Sequence, residues 1–312
     1  MKVFAPGEII ASRYVVQSSL GEGGLGAVYL CQLAGTDQFV AIKVIKPDTG
    51  VDLRLIQDLL KREARILSGL RHKNIVQLHD FIEDQYGPLF VMEYVNGYTI
   101  SDPAMQGPYA FDSFLSCAMQ CLEGLAAAHR KDLLHLDIKP ENIMVVFGKD
   151  GGVRVKILDF GISQVMSELQ EAAAGDEIIG SAFYIAPEQL QRNPSTPATD
   201  LYSLGHVFYL MLAGETAYQA DDINQLVLLK IKEEAQDIRY YREDLPEAFV
   251  EWLHRMIAID SSQRPQSCQQ AIKELTAISI RSLTPLDPQP NTIGRRISQS
   301  LRDLLDDMNL NG

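Results

Sequence analysis

What most restricts the fold of this chain is a change of hydrophobic period near residue 93. Before it, apolar residues come in short runs rich in Val, Tyr and Phe, at residues 14–20, 27–33, 39–46, 76–83 and 89–94, and glycines lie between the first of them. Runs of that length and composition read as strands. Residues 52–70 are the exception, because Leu55, Ile56, Leu59, Leu60, Ile66, Leu67 and Leu70 fall on one helical face. From residue 111 onward helix-length segments dominate, at 111–131, 198–213, 221–234, 246–259 and 266–277. Only two strand-like pieces, 143–147 and 153–158, interrupt them. An α+β chain of two lobes follows: a small β-rich lobe with one helix, then a larger, mainly helical lobe, joined at residues 93–97. The cleft between two such lobes is a natural place for a small ligand.

Composition narrows the classes further. With 312 residues, 46% of them hydrophobic and 22% charged, the chain suits a folded protein with a sizeable core. Its 28 Lys and Arg against 41 Asp and Glu give a formal net charge of −13. That balance argues against nucleic acid and against a membrane surface as partners, since both recruit clustered cations. The longest apolar run, residues 201–214, has 14 residues where a membrane span needs about 20. The first residues lack the apolar core of a signal peptide. Cys31, Cys117, Cys121 and Cys268 are too scattered for a disulfide framework. Cys117 and Cys121, four apart on a helix, read as small core residues, with no His or further Cys at ligand spacing. A cytoplasmic, reduced protein is the expectation.

Three groups of residues carry chemistry. Gly21, Gly23 and Gly26 form G-x-G-x-x-G with strand-like sequence on both sides. A dinucleotide site would need a helix after the glycines, whereas a strand–turn–strand glycine loop can close over phosphates. Fourteen residues after Gly26 begins Val40-Ala41-Ile42-Lys43, and Glu63 lies on the helix that follows. A Lys43–Glu63 pair would hold the ammonium toward phosphates. The densest group is His135-Leu136-Asp137-Ile138-Lys139-Pro140-Glu141-Asn142, with Asp159-Phe160-Gly161 beginning seventeen residues beyond Asn142. On one tight loop Asp137 can accept the proton of an attacking hydroxyl, while Lys139 neutralises a transferring phosphoryl group. Asn142 and Asp159 supply the hard oxygen ligands that magnesium prefers.

Taken in this order and spacing, these motifs resemble the eukaryotic-type (Hanks-type) serine/threonine protein kinase family. The resemblance runs from about residue 14 to residue 277 and includes Ala186-Pro187-Glu188, Asp200, Ser203, Gly205 and Arg264. It implies the bilobal kinase fold, with an N-terminal extension at 1–13, an N-lobe at 14–92, a hinge at 93–97 and a C-lobe at 98–277. It implies ATP and Mg2+ as cofactors and Ser/Thr residues of proteins as acceptors. It also implies that Val28, Ala41, Met92 and the backbone of Glu93 and Val95 surround the nucleotide, with Met92 as gatekeeper. Glu188 and Arg264 are implied as a structural ion pair, and Ser181 as the hydroxyl that meets Asp137 and Lys139.

One departure stands out: Leu136 occupies the place of the arginine that precedes the catalytic Asp in many relatives. That arginine pairs with a phosphate on the activation loop. Between Glu168 and Gly180 this chain has no Ser, Thr or Tyr to carry one; Ser163 and Ser167 lie earlier. Receptor and acceptor are lost together, so activity without activation-loop phosphorylation is expected. A pseudokinase scaffold is the alternative, opposed by the presence of Lys43, Glu63, Asp137, Lys139, Asn142 and Asp159. A small-molecule kinase is opposed by the full glycine loop, the Ala-Pro-Glu element and Lys139.

Beyond the kinase-like region, Pro285, Pro288 and Pro290 mark a linker, and Ile297, Leu301, Leu304, Leu305 and Met308 fall on one helical stripe. This short amphipathic helix, within residues 278–312, is expected to dock in cis or to bind a partner. Ser298, after Arg295 and Arg296, is a candidate for autophosphorylation or simply a helix cap. The charge is uneven as well. Residues 93–276 carry 14 basic and 27 acidic residues, while the segments on either side balance. The excess sits in the lobe that would receive a protein substrate, with Glu141 beside the catalytic loop, and suggests steering of basic peptides.

Overall fold

A computed structural model describes residues 2–23, 26–45, 53–105, 107–148, 152–160, 182–220, 222–232 and 235–282. The glycine-rich strands form the first layer. Strands β1 (Ile9–Ile10), β2 (Tyr14–Gly23), β3 (Gly26–Leu33), β4 (Phe39–Ile45), β5 (Leu78–Asp84) and β6 (Gly87–Glu93) make an antiparallel sheet in the order β1-β2-β3-β4-β6-β5. Alternation of side chains decides its faces. Tyr29 and Cys31 of β3 pack with Ile42 and Val44 of β4 on one side. On the other side, Ile45 and Phe90 receive Leu60 and Ala64 of helix α1 (Leu53–Ser68). Lys43 shares the second face with Ala41 and Ile45. It sits on a central strand, paired with Val28 on one side and Phe90 on the other, and is 7% exposed. A lysine merely reaching for water would sit at an edge.

Residues 2–13, set apart above as an extension, pack onto this lobe. Ile9 and Ile10 pair with Val15 and Tyr14, and Phe4 lies edge-on to Tyr29 and Tyr86 with centroids at 5.5 and 5.1 Å.

The second layer is helical. Helices α2 (Phe111–His129), α4 (Pro197–Ala213), α6 (Glu247–Met256) and α7 (Cys268–Ser282) enclose one core around Phe114, Phe208, Phe249 and Trp252. Between α2 and α4 in sequence comes the four-residue α3 (Pro187–Leu190), and α5 (Ile223–Lys232) follows α4. The apolar run at 201–214 is therefore a core helix, stopped where Gly214 turns left-handed, φ 75°, and donates to the Leu210 carbonyl. All four cysteines are buried and free, as core residues should be. Helix α7 continues to Ser282, five residues past the expected boundary at 277. Among the described residues no helix is long and apolar enough to cross a membrane.

A second, three-stranded sheet lies next to the cleft: β7 (Tyr98–Thr99), β8 (Ile143–Phe147) and β9 (Val153–Ile157). It roots the two chemical segments, because the loop ending in Asn142 runs straight into β8 and Asp159 follows β9. The two-residue strands β1 and β7 escape prediction, since two residues carry no period.

Candidate active site

The loop from His135 to Asn142 is held almost entirely by hydrogen bonds from its own neighbourhood. The His135 ring has a single workable tautomer. Its Nδ1 accepts from the Asp137 amide at 3.3 Å, so Nε2 must donate to the Leu158 carbonyl at 2.7 Å. Its ring also packs on Phe160, centroid to centroid 4.5 Å. Asp200, fully buried on α4, accepts from the amides of His135 and Leu136, each at 2.8 Å, and meets His129 Nε2 at 2.7 Å. Burial pushes the Asp200 carboxyl up, but the hydrogen bonds and charge of its histidine partners outweigh it and leave it below the usual carboxylate range.

These contacts set the candidate groups. Asn142 donates through Nδ2 to the Asp137 carbonyl at 2.8 Å and to Asp137 Oδ2 at 3.1 Å. Lys139 Nζ approaches the same Oδ2 at 3.1 Å. Across the cleft, Lys43 Nζ meets Asp159 Oδ2 at 2.9 Å. Asp159 has left-handed backbone, φ 58°, which an aspartate tolerates better than most residues. Its burial pushes the carboxyl up, yet the charge and hydrogen bond of Lys43, with help from His135 and Lys139, bring it below the ordinary value. Glu63 enters from α1, beside Leu60 and Ala64, with its Oε2 buried. Lys43, Asp137, Lys139, Asn142 and Asp159 thus come together, with Asp159 feeling the charge of both Lys43 and Lys139, while Glu63 lies on α1.

Of the three glycines, packing requires one. A Cβ on Gly26 would lie 2.0 Å from the Val44 carbonyl oxygen, whereas at Gly21 and Gly23 it would meet nothing within 4 Å. Val28 lies on β3 opposite Lys43, and Ala41 on β4 opposite Leu30. Met92 pairs with Ala41 across β4 and β6 and packs against the Leu60–Phe90 cluster. At the hinge, the Glu93 amide donates to the Gln77 carbonyl at 2.9 Å and its carboxylate meets Lys156 at 2.7 Å. Val95 follows, half-buried. Gly161, Ser163, Ser167, Ser181 and the tail helix with Ser298 lie outside the described residues.

The segment after residue 181 is anchored twice. Glu188 and Arg264 form a two-pronged ion pair at 2.7 and 3.0 Å. Lys230, a fully buried residue of α5, donates to the carbonyls of Ala182 and Phe183 at 2.9 and 2.7 Å and lies over the Tyr202 ring. Sequence reasoning missed Lys230, because a lysine on an amphipathic helix carries no local mark of burial. It missed Gln189 too, which bonds the Ala186 amide and the Leu136 carbonyl.

The family model described as "Protein kinase domain" matches residues 14–275. This chain belongs to the Hanks-type serine/threonine protein kinase family. Over 273 residues it is 32% identical to a probable serine/threonine-protein kinase of Clostridium acetobutylicum, covering 87% of this chain and 41% of that one. Against the serine/threonine-protein kinase PrkC of Bacillus subtilis identity is 29% over 264 residues, covering 84% and 40%. The kinase domain therefore spans about two-fifths of the length of these relatives. In fold it resembles the crystal structure of the PknI kinase domain of Mycobacterium tuberculosis, with TM-score 0.66 and 23% identity over 88% of this chain and 99% of that one.

Proposed function

We propose that this chain transfers the γ-phosphoryl group of ATP to Ser and Thr hydroxyls of protein substrates, with magnesium, and needs no phosphate on residues 161–181. The observation that carries this is the Asp137 carboxylate, held by Lys139 and Asn142 on one oxygen, opposite the Lys43–Asp159 pair. Asp137 would take the proton of the attacking hydroxyl. Lys139 would balance charge on the moving group, and Lys43 would orient the α and β phosphates. Glu63, from the neighbouring helix, is read as the residue that sets the Lys43 ammonium.

The donor chemistry fits magnesium: Asn142 and Asp159 offer hard oxygens, and Asp159 is held in its charged form. When bound there, the ion would screen phosphate negative charge. The open space around Gly21 and Gly23 fits a ligand that needs close backbone approach. Val28, Ala41, Met92 and the backbone of Glu93 and Val95 are read as the adenine walls.

Independence from loop phosphorylation is supported by the hydrogen bonds of the catalytic loop. His135, Leu136, Asp137 and Asn142 find partners in Leu158, Asp200 and one another, with Leu136 where an arginine would await a phosphate. Exposed Glu141, next to this loop, supports a preference for basic peptides. Four buried free thiols fit a reducing, cytoplasmic compartment. The test is phosphatase-treated protein given magnesium, ATP and a serine peptide library. Unchanged turnover supports the proposal. Loss of activity, restored by a phosphate that maps to residues 161–181, would overturn it.

A further inference from the structure

Leu136, immediately before the proposed catalytic base, has left-handed backbone with φ 62°. A non-glycine residue held there is strained and persists only when its surroundings impose it. Both peptide groups of Leu136 are seized. Its amide donates to Asp200 Oδ1 at 2.8 Å, and its carbonyl, which belongs to the peptide linking it to Asp137, accepts from Gln189 Nε2 at 3.1 Å. Gln189 lies on α3, the helix opened by Pro187 and Glu188, and its Oε1 accepts from the Ala186 amide at 3.0 Å. One side-chain amide therefore uses both its ends. The oxygen is fixed by the Ala-Pro-Glu segment, and the nitrogen holds the peptide that orients Asp137.

We propose that Gln189 is the positioning residue that locks the catalytic loop of this chain, tying the Leu136–Asp137 peptide to helix α3 where an arginine–phosphate contact would otherwise couple the two segments. It rests on the assignment of Asp137 as base and on activity without loop phosphate. The requirement is for a side chain that accepts at one end and donates at the other at a fixed separation. Among the uncharged side chains of this length, only glutamine does so. An asparagine falls one methylene short, and a glutamate offers oxygen at both ends.

That last difference supplies the experiment. Gln189→Glu keeps the bond to the Ala186 amide and places a negative charge in the first turn of α3, where it is tolerated. It replaces the donor to the Leu136 carbonyl with a repelling oxygen. Gln189→Leu, which loses both bonds, serves as the second variant. The expected result for Gln189→Glu is a folded protein with a modestly lowered melting temperature, an unchanged KM for ATP and a fall in kcat of about 10- to 100-fold, the scale of a misplaced reacting group. Hydrogen exchange at the amides of Leu136 and Asp137 should quicken in both variants. Faster exchange would support the tether even if the wild-type chain phosphorylated no peptide, a failure that would count against the proposed function alone. An active wild type whose Gln189→Glu variant keeps kcat and exchange unchanged would overturn the inference.

Discussion

Glu188 and Arg264 are 76 residues apart, and their ion pair pins α3 to the helical lobe. The Arg264 side chain is fully buried. Besides the two bonds to Glu188, its guanidinium donates to the carbonyls of Ala258, Ala198 and Ile259 at 2.7, 3.2 and 3.0 Å and stacks on Tyr202 at 4.5 Å. Glu188→Ala would leave that cation buried with neutral partners only. Breaking one side of a buried pair typically costs about 3–5 kcal/mol. The Glu188 side chain keeps 11% of its exposure, so water can reach the vacated place and the lower end applies, about 3 kcal/mol. In a chain of this size that corresponds to a fall in melting temperature of about 6–12 °C.

The cost depends on pH in a defined direction. Burial raises the Glu188 carboxyl, but the hydrogen bonds and charge of Arg264 lower it further, below its ordinary value. A depressed carboxyl contributes stability above its unfolded pKa, about 4.3. It loses that contribution as pH falls through the depressed folded value. Urea unfolding of wild type and Glu188→Ala at pH 7, repeated at decreasing pH while both still fold, should show a gap of about 3 kcal/mol that narrows toward acid. The double variant Glu188→Leu/Arg264→Met should recover part of the loss, because neither charge is then stranded. A gap below about 1 kcal/mol at pH 7, the size of an exposed pair, would refute the buried-pair account.

Two further outcomes follow from the cleft. Gly26→Ala should fail to fold or melt far below wild type, since its Cβ would stand 2.0 Å from the Val44 oxygen. Gly21→Ala and Gly23→Ala should fold and raise KM for ATP, read by thermal melts and steady-state kinetics. Lys43→Met removes the charge that offsets burial at Asp159, so that carboxyl should titrate at higher pH than in wild type. Carbon-13 NMR of labelled aspartates would show the change, and an unmoved or lowered titration would contradict the assignment.

How much of this was legible beforehand varies with the range of the interaction. The strand-to-helix change of period near residue 93, the core helix at 201–214 and the positions of Lys43, Asp137, Asn142 and Asp159 were readable because each leaves a local pattern. The Glu188–Arg264 pair entered only through the family resemblance, since spacing alone cannot join residues so far apart. Lys230 and Gln189 left no trace. What matters in each is a bond to a backbone carbonyl brought near by folding, 48 residues away for Lys230 and Ala182 and 53 for Gln189 and Leu136. Phe4 is equally silent, since no period surrounds it, yet it is 3% exposed and packs against Tyr29 and Tyr86.

The Asp137 carboxylate, poised by Lys139 and Asn142, is proposed to accept the proton of the attacking hydroxyl as the phosphoryl group moves from ATP to it. The measurement that tests this most directly is transfer of radiolabelled γ-phosphate from ATP to a serine peptide, with magnesium, by purified wild type and Asp137→Asn. Wild type should label serine, and the variant, which keeps its shape but has lost its proton acceptor, should fall by about 100-fold or more while still binding nucleotide. Equal labelling by the two proteins would contradict the account.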